Sequence, residues 1–286
     1  MPPVLGLIAG GSRFPHAVAQ AARAQSFRVV GVGFAPDTDP NLPEYCDAFA
    51  WLRLGQLGRL VGFFRRQRVS HVSFVGPIHK PRALSLIPDW RATRLLLSLR
   101  QRGDDAILRA VRREMEKEGW QVVGADFFLP QLLTPEGILT QTQPTPRQWE
   151  DIHFGWRVAE CLGQFDIGQC VVVREGVVLA VEAIEGTDAT LARAAALGGK
   201  GAVVIKRCKP TQDRALDLPS VGLTTVQGIA AMGGSCLAVE AGGSFFFDLE
   251  ASIQFATAHG IALVGYTEMP SAASPPYSPR KRSSSS

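Results

Sequence analysis

Residues 4–22 read VLGLIAGGSRFPHAVAQAA and predict a strand, a tight turn and a helix in succession. The apolar run at the start is rich in branched side chains, as is typical of a buried strand. The small residues Gly-Gly-Ser at 10–12 interrupt it, and apolar residues then recur at helical spacing over 14–22. A unit of this kind opens a parallel α/β sheet.

The same alternation continues through the first half of the chain. Strands are predicted at 27–34 and 69–75, a helix lies between them at 56–67, and a well-patterned helix begins at Asp104-Asp105 and ends near residue 118. Parallel strands joined by helices predict an N-terminal Rossmann-like sheet.

A second α/β unit follows a proline-rich stretch at 134–146. Strands are expected at 170–174, 177–183, 201–205, 236–240, 244–247 and 261–266, with helices at 148–162, 187–197 and 249–259. We therefore expect a two-domain α/β fold with a nucleotide-side domain (1–133), a linker (134–146), a catalytic α/β domain (147–269) and a disordered Ser/Pro-rich tail (270–286).

Composition excludes several protein classes. The 286 residues are 46% hydrophobic and 20% charged, close to a globular average, so a collagen, a coiled coil or a wholly disordered chain is ruled out. No apolar run reaches the roughly 18 residues of a membrane span. The net charge is +4, and three of the basic residues lie in the tail, which disfavours a nucleic-acid-binding body. The start of the chain lacks a basic signal-peptide region, which favours a cytoplasmic protein.

The cysteines are five in number and widely spaced, without a C-x-x-C pair. Reduced, mostly buried thiols are expected, rather than a zinc site or a redox motif.

The turn at Gly10, Gly11 and Ser12 can serve a phosphate or serve only the fold. A strand-to-helix turn aims backbone N–H groups at an anion, yet small residues are needed in any tight connection of this type. Neither the G-x-G-x-x-G nor the P-loop spacing is present.

Two further groups of polar residues have the same ambiguity. Carboxylates at predicted helix starts are often caps, but a few of them are also what Mg²⁺ binds; the candidates are Asp104, Asp105, Glu182, Glu185 and Asp188. The charged stretch 206–222 is either a solvated loop or a functional loop on a rigid scaffold.

Five motifs, taken together, make the sequence similar to the LpxI-type UDP-2,3-diacylglucosamine pyrophosphatases of lipid A biosynthesis. They extend over most of the chain in a consistent order: LGLIAGG at 5–11, GDD at 103–105, LGQFDIGQ at 162–169, VLAVEAIEGTD at 178–188 and QDRALDLP at 212–219.

The resemblance implies a two-domain, homodimeric hydrolase that converts UDP-2,3-diacylglucosamine into 2,3-diacylglucosamine 1-phosphate and UMP, with water attacking the sugar-side β-phosphorus. It implies a divalent metal, normally Mg²⁺. It assigns the catalytic role to Asp217 and metal binding to the five acids named above. Substrate contacts are expected from Gly10, Gly11, Ser12, Gln169, Thr187, Lys206, Lys209 and Gln212.

The leucine- and arginine-rich stretch 77–102 holds six basic residues and one acid, Asp89. It suits either a peripheral contact with anionic lipid at the inner face of the inner membrane, through Arg91, Arg94, Arg100 and Arg102, or a packed helix pair with a solvated basic face.

Two other functions fit parts of the sequence. A nucleotide-dependent oxidoreductase would use the first domain as a dinucleotide site, but it needs a clearer glycine fingerprint. A non-catalytic UDP-sugar or lipid-binding protein would keep the same scaffold. UMP release from the lipid substrate separates these functions.

Overall fold

A computed structural model describes residues 2–78, 88–99, 104–210, 212–216 and 218–268 of the chain. Asp217, Arg100, Arg102 and the predicted tail 270–286 lie outside the described residues. Asp104 and Asp105 are described in their backbone only.

The first sheet is entirely parallel and has the strand order β3-β2-β1-β4-β5. This confirms the Rossmann-like expectation. Its strands are β1 (Val4–Ala9), β2 (Arg28–Phe34), β3 (Ala48–Leu52), β4 (His71–Val75) and β5 (Gln121–Val122), and its helices are α1 (Phe14–Ala24), α2 (Leu57–Arg66), α3 (Trp90–Leu97) and α4 (Asp104–Lys117).

Alternating side chains of β1 build a core on each face of this sheet. Leu5 and Leu7 pack with the buried side of α1, whereas Val4 and Ile8 pack with Phe64 of α2 and the rest of that layer. Because both faces are covered by helices, β1 is buried along its whole length, as its unbroken apolar sequence predicts.

The second sheet is mixed and has the order β6-β13-β11-β9-β7-β8. Strands β9, β11 and β13 are parallel, while β7 is antiparallel to β9 and forms a hairpin with β8. The elements of this half are β6 (Gly137–Ile138), α5 (Pro146–Gln164), β7 (Cys170–Arg174), β8 (Val177–Val181), α6 (Thr187–Ala196), β9 (Val203–Lys206), β10 (Ser220–Val221), α7 (Leu223–Met232), β11 (Cys236–Glu240), β12 (Phe245–Phe246), α8 (Leu249–Ala258) and β13 (Ala262–Tyr266).

The longest helix, α5, starts at a capping box. The Thr145 hydroxyl accepts a hydrogen bond from the Gln148 N–H, and the Gln148 side chain accepts one from the Thr145 N–H. Ile152 and Trp156 then cover one face of the second sheet, whereas α6, α7 and α8 cover the other. The second half is therefore a layered α/β unit, as expected.

Apolar and ionic contacts join the two halves. The Phe14 ring of α1 packs edge-on against Phe245 and Phe247, with centroid distances of 5.1 and 4.9 Å. Arg112 of α4 forms an ion pair with Asp213 of the loop after β9. Within the predicted linker 134–146, β6 adds an antiparallel edge strand to β13.

All five cysteines are free, and Cys170, Cys208 and Cys236 are buried. Burial is the largest cause that raises the pKa of Cys170 and of Cys236 to about 12. The thiols of Cys170 and Cys236 therefore favour the protonated form at neutral pH, which is the less nucleophilic one. Among the described residues, no helix is long and apolar enough to cross a membrane.

Candidate active site

A cluster of polar side chains lies where β9 and β11 reach their carboxyl ends. Lys206 is the last residue of β9 and Glu240 the last residue of β11. Since β7 runs antiparallel to β9, its first residue, Cys170, lies opposite Lys206, and Gln169 just before it reaches the same edge. This edge of an open α/β sheet is where ligands usually bind.

Four of the expected residues form one chain of hydrogen bonds in the cluster. Lys206 Nζ donates to Thr187 Oγ1 at 2.9 Å, and this hydroxyl donates to Glu182 Oε1 at 2.9 Å. The other oxygen, Glu182 Oε2, accepts from the backbone N–H of Gln169 at 3.2 Å. Gly168 lets the two segments approach, because a Cβ there would lie 2.0 Å from the Glu182 carbonyl oxygen.

The loop after β9 closes the other side of the cluster. Gln212 Oε1 accepts from Gln169 Nε2 at 3.1 Å and from the Lys209 N–H at 3.2 Å. Lys209 Nζ forms an ion pair with Asp166 at the end of α5. The structure thus brings together three separate stretches of the sequence, which carry Gln169, then Glu182 and Thr187, then Lys206, Lys209 and Gln212.

Lys206 is the most deeply buried charged residue described in the cluster. Its side chain is buried at 8% relative exposure. Its hydrogen bond goes to a neutral hydroxyl, and no carboxylate of the described residues lies within ion-pair distance of its Nζ. A buried ammonium is costly unless an anion compensates it. The cluster therefore suits a negatively charged ligand.

Glu240 was not among the sequence candidates, yet it anchors the loop after β9. Its Oε2 accepts from the Cys208 N–H at 2.8 Å, and its Oε1 accepts from Arg214 Nη2 at 2.6 Å. A single acidic residue at the end of an apolar strand matches no sequence motif. Its position at the carboxyl end of a strand is the signal that could have identified Glu240 as a candidate.

The glycine turn after β1 lies in the first sheet and is held by backbone contacts. The Gly10 N–H donates to Val75 O at 2.8 Å and the Gly11 N–H donates to Pro77 O at 2.6 Å. Ser12 Oγ accepts from the Phe14 N–H at 3.2 Å. The two glycine donors that sequence analysis offered to a phosphate are thus already used within the fold.

Of the carboxylates proposed as metal ligands, the three whose side chains are described, Glu182, Glu185 and Asp188, do not form a metal site. Glu185 pairs with Arg193 of α6 at 2.8 Å, and Asp188 is exposed in the first turn of that helix. Glu182 has both oxygens in the hydrogen bonds given above. Within the described part of the chain, no three His, Cys, Asp or Glu side chains are grouped as a metal site.

Large apolar side chains are exposed on the two segments that flank the cluster. Phe165 and Ile167, on either side of Asp166, are 78% and 42% exposed, and Ile184 on the segment after Glu182 is 93% exposed. A polar cluster with this apolar border can accommodate a ligand that has an anionic part and a hydrocarbon part.

The fold and the site define the class of the molecule: a two-unit α/β protein with a Rossmann-like sheet and an anion-suited site at a strand edge of the second sheet. The chain belongs to the LpxI family, because the LpxI N-terminal domain matches residues 4–132 and the LpxI C-terminal domain matches residues 135–264. The resemblance found in the sequence motifs is therefore confirmed.

A named relative supports this membership. The chain is 36% identical over 272 residues to the UDP-2,3-diacylglucosamine pyrophosphatase LpxI of Caulobacter vibrioides, a match that covers 91% of this chain and 96% of the relative.

Likenesses to solved structures are weak. CobK precorrin-6A reductase has a TM-score of 0.32 at 11% identity, over 92% of this chain and 86% of that one. Phosphoribosylglycinamide synthetase from Anaerococcus prevotii has a TM-score of 0.27 at 9% identity, over 64% and 39% of the two chains. At these scores neither structure informs the function.

Proposed function

We propose that this protein hydrolyses the diphosphate of UDP-2,3-diacylglucosamine to 2,3-diacylglucosamine 1-phosphate and UMP in lipid A biosynthesis. The relative from Caulobacter vibrioides, named for this activity and aligned over 91% of the chain, supports the proposal. The structural observation that carries it is Lys206, a buried ammonium that suits an anionic ligand.

In this reaction a water oxygen forms a bond to the sugar-side phosphorus, and the bond from that phosphorus to the bridging oxygen breaks. Negative charge develops on the bridging oxygen that leaves with UMP. A positively charged side chain held in a site of low dielectric stabilises such charge without having to reorganise. We assign this role to Lys206, with Gln169, Thr187, Lys209 and Gln212 as the polar groups that orient the diphosphate.

The acyl chains of the substrate fit the exposed apolar border formed by Phe165, Ile167 and Ile184. Burying hydrocarbon contributes roughly 0.8 kcal/mol per methylene group. We therefore expect UDP-glucosamine without acyl chains to be a poor substrate, and equal rates on the two compounds would contradict this assignment.

The proposal includes a divalent cation, although the described side chains do not form a site for it. The carboxylates whose side chains are described do not form one, and the described residues include neither Asp217 nor the side chains of Asp104 and Asp105. No reaction step is assigned to a cation. A chelator titration followed by Mg²⁺ addition measures the requirement directly.

Asp217 is the catalytic residue that the family resemblance assigns. Asp217→Asn removes its charge and keeps its size, so UMP release should fall by at least two orders of magnitude while the circular dichroism spectrum stays unchanged. Hydrolysis in ¹⁸O-water should place the label in the lipid phosphate. Near-normal turnover of the variant removes Asp217 from the mechanism, and label confined to UMP refutes attack at the sugar-side phosphorus.

We also propose a homodimer and a peripheral contact with an anionic membrane. Light scattering at several protein concentrations tests the first. A substrate with two acyl chains resides in a bilayer, which is the physical reason for the second.

A further inference from the structure

Helix α3 presents an exposed face that combines aromatic, basic and aliphatic side chains. Trp90, Arg94 and Leu97 follow one another at spacings of four and three residues, which places them on one side of the helix. Trp90 is 81% exposed and Leu97 is 74% exposed. The opposite side packs inward through the buried Ala92 and the partly buried Leu95. The outward face therefore exposes two large apolar side chains, Trp90 and Leu97, that are not part of the core.

An open groove of about 720 Å³ continues this face across the first sheet. It is bounded by the edge strand β3, by α2 and by the start of α3. Its apolar lining comes from Ala50, Leu52, Phe63 and Trp90. Gly62 of α2 borders open space, because a Cβ there would meet only the Arg66 guanidinium, at 3.6 Å.

The rim of the groove and the helix face are positively charged. Arg59 and Arg66 lie seven residues apart on α2, line the groove and are exposed, and Arg94 is exposed on α3. No carboxylate of the described residues forms an ion pair with any of these three arginines.

The carboxylates nearby bind groups of the fold and do not pair with the three exposed arginines. Asp89 Oδ1 accepts from the Ala92 N–H at 3.0 Å and Asp89 Oδ2 from the Gly58 N–H at 2.7 Å. Arg91, one of the arginines first expected at the membrane, is instead paired with Glu114 at 2.9 Å and Glu118 at 2.7 Å. Arg59, Arg66 and Arg94 outnumber Asp89, so this surface carries an excess of positive charge.

We infer that this surface, made of Trp90, Arg94 and Leu97 with the α2 rim of Arg59 and Arg66, docks the protein on an anionic lipid bilayer. Guanidinium groups pair with lipid phosphates, while Trp90 and Leu97 enter the interfacial layer, where an amphipathic ring and an aliphatic chain are favoured. The inference rests on the proposed function for the location of the substrate. Its contacts are separate from the polar cluster around Lys206.

Vesicle co-sedimentation of the full chain tests the inference. Vesicles of phosphatidylcholine with phosphatidylglycerol should bind the protein, and vesicles of phosphatidylcholine alone should bind it much more weakly. Arg59→Gln, Arg66→Gln and Arg94→Gln combined should lower the partition coefficient about 100-fold, since each basic residue near the surface contributes roughly a factor of five. Trp90→Ala with Leu97→Ala should lower it at least ten-fold at unchanged charge.

Matched controls lie on the other half of the molecule. Arg157→Gln removes an exposed arginine of α5, and Leu197→Ala truncates a leucine that is 59% exposed after α6. Both should bind vesicles like the wild type. The inference is overturned if the wild type does not bind anionic vesicles or if the arginine variant binds them like the wild type. It is also overturned if light scattering shows that the variants convert a dimer to a monomer, because a second copy of the chain then covers this face.

The activity separates the inference from the proposed function. In detergent micelles, where the substrate is presented without a bilayer, the docking variants should release UMP at the wild-type rate. Loss of activity in micelles together with retained vesicle binding counts against the docking role.

Discussion

A single buried ammonium group determines the character of the site. Lys206 is buried at the end of β9, a strand paired on both sides, and it donates a hydrogen bond to the hydroxyl of Thr187, so its charge has little contact with water. Low local dielectric strengthens any interaction of this charge with an anion. Thr187 links it to the Glu182 carboxylate, and Gln169 and Gln212 supply further polar groups beside this pair.

Lys206→Met tests this role at constant side-chain volume. Methionine fills the buried space but carries no charge, so turnover should fall roughly 10²- to 10³-fold, as it does when one preorganised electrostatic contact is removed. Thr187 keeps its hydrogen bond to Glu182, and the melting temperature should change little. UMP release measures the effect. Lys200→Met, at an exposed lysine, is the matched control, and equal rates of the two variants would refute the role.

Replacing glycine by alanine should lower the stability of the fold at Gly10 and raise it at Gly62. A Cβ on Gly10 would lie 2.3 Å from the Pro77 carbonyl oxygen and 2.4 Å from that of Gly76, so Gly10→Ala should destabilise the fold by about 3 kcal/mol. In the middle of α2, Gly62→Ala should stabilise it by roughly 0.5–1 kcal/mol. Urea unfolding of both variants measures the difference, and two changes of the same sign would be inconsistent with these contacts.

At the scale of elements, an ionic network fixes α2, α3 and α4 relative to one another. Glu118 accepts hydrogen bonds from Arg65 of α2 and from Arg91 of α3. Burial raises the pKa of Glu118, but the bonds from the two arginines outweigh it and hold the pKa below its ordinary value of 4.5. The network also keeps Arg91 directed into the fold and away from the exposed face of α3.

A carboxyl group with a lowered pKa in the folded state stabilises the protein above its ordinary pKa. That contribution is lost as the pH falls through the lowered value. Glu118→Gln should therefore cost roughly 1 kcal/mol at pH 7 and progressively less below pH 4.5. Melting temperatures between pH 7 and pH 3 measure this. The control is Glu150→Gln, at an exposed position of α5, and a difference between Glu118→Gln and wild type that is independent of pH would contradict the assignment.

Sequence periodicity identified most elements, and its failures have physical causes. The edge strand β3, sequence AFAWL, is only half-buried. It lacks both an alternation of polar and apolar residues and β-branched side chains. Helix α7, sequence LTTVQGIAAM, contains threonines, a valine and a glycine that lower helix propensity, and tertiary packing of Val226, Ile229 and Met232 compensates for them. Both elements depend on neighbours that are distant in sequence.

The residues of the site were predicted from the family motifs and not from their spacing along the sequence. Gln169, Thr187, Lys206 and Gln212 meet because β7 runs antiparallel to β9, a pairing that local sequence does not encode. The glycine turn shows the reverse case: its composition was correctly interpreted as a turn, yet its N–H groups donate to Val75 at the end of β4 and to Pro77 just after it. Contacts between distant loops decide which donors remain for a ligand.

At the scale of the whole molecule, the loop after β9 connects the two halves. It carries Lys209 and Gln212 of the polar cluster, and Asp213 next to them pairs with Arg112 of the N-terminal half. Asp213 Oδ1 also accepts from the Ala215 N–H at 3.1 Å, which shapes the turn that follows. A change in α4 can therefore reach the cluster through this ion pair and through Ala215 and Leu216, which pack in the same apolar cluster as Val111 and Met115 of α4.

Breaking this ion pair should impair catalysis more than stability. Arg112→Met removes the partner of Asp213 and keeps a long side chain on α4. Gln212, the residue before Asp213, then loses its fixed position. Turnover should fall roughly ten-fold, because small misplacements of groups that orient a substrate are costly. The partly buried pair, which is still accessible to water, contributes only about 1 kcal/mol to folding. Asp213→Asn should have a similar effect, and the double variant should be no worse than either single one. Arg113→Met, at the neighbouring exposed arginine, is the control. Rate losses that multiply in the double variant would show that Arg112 and Asp213 act independently.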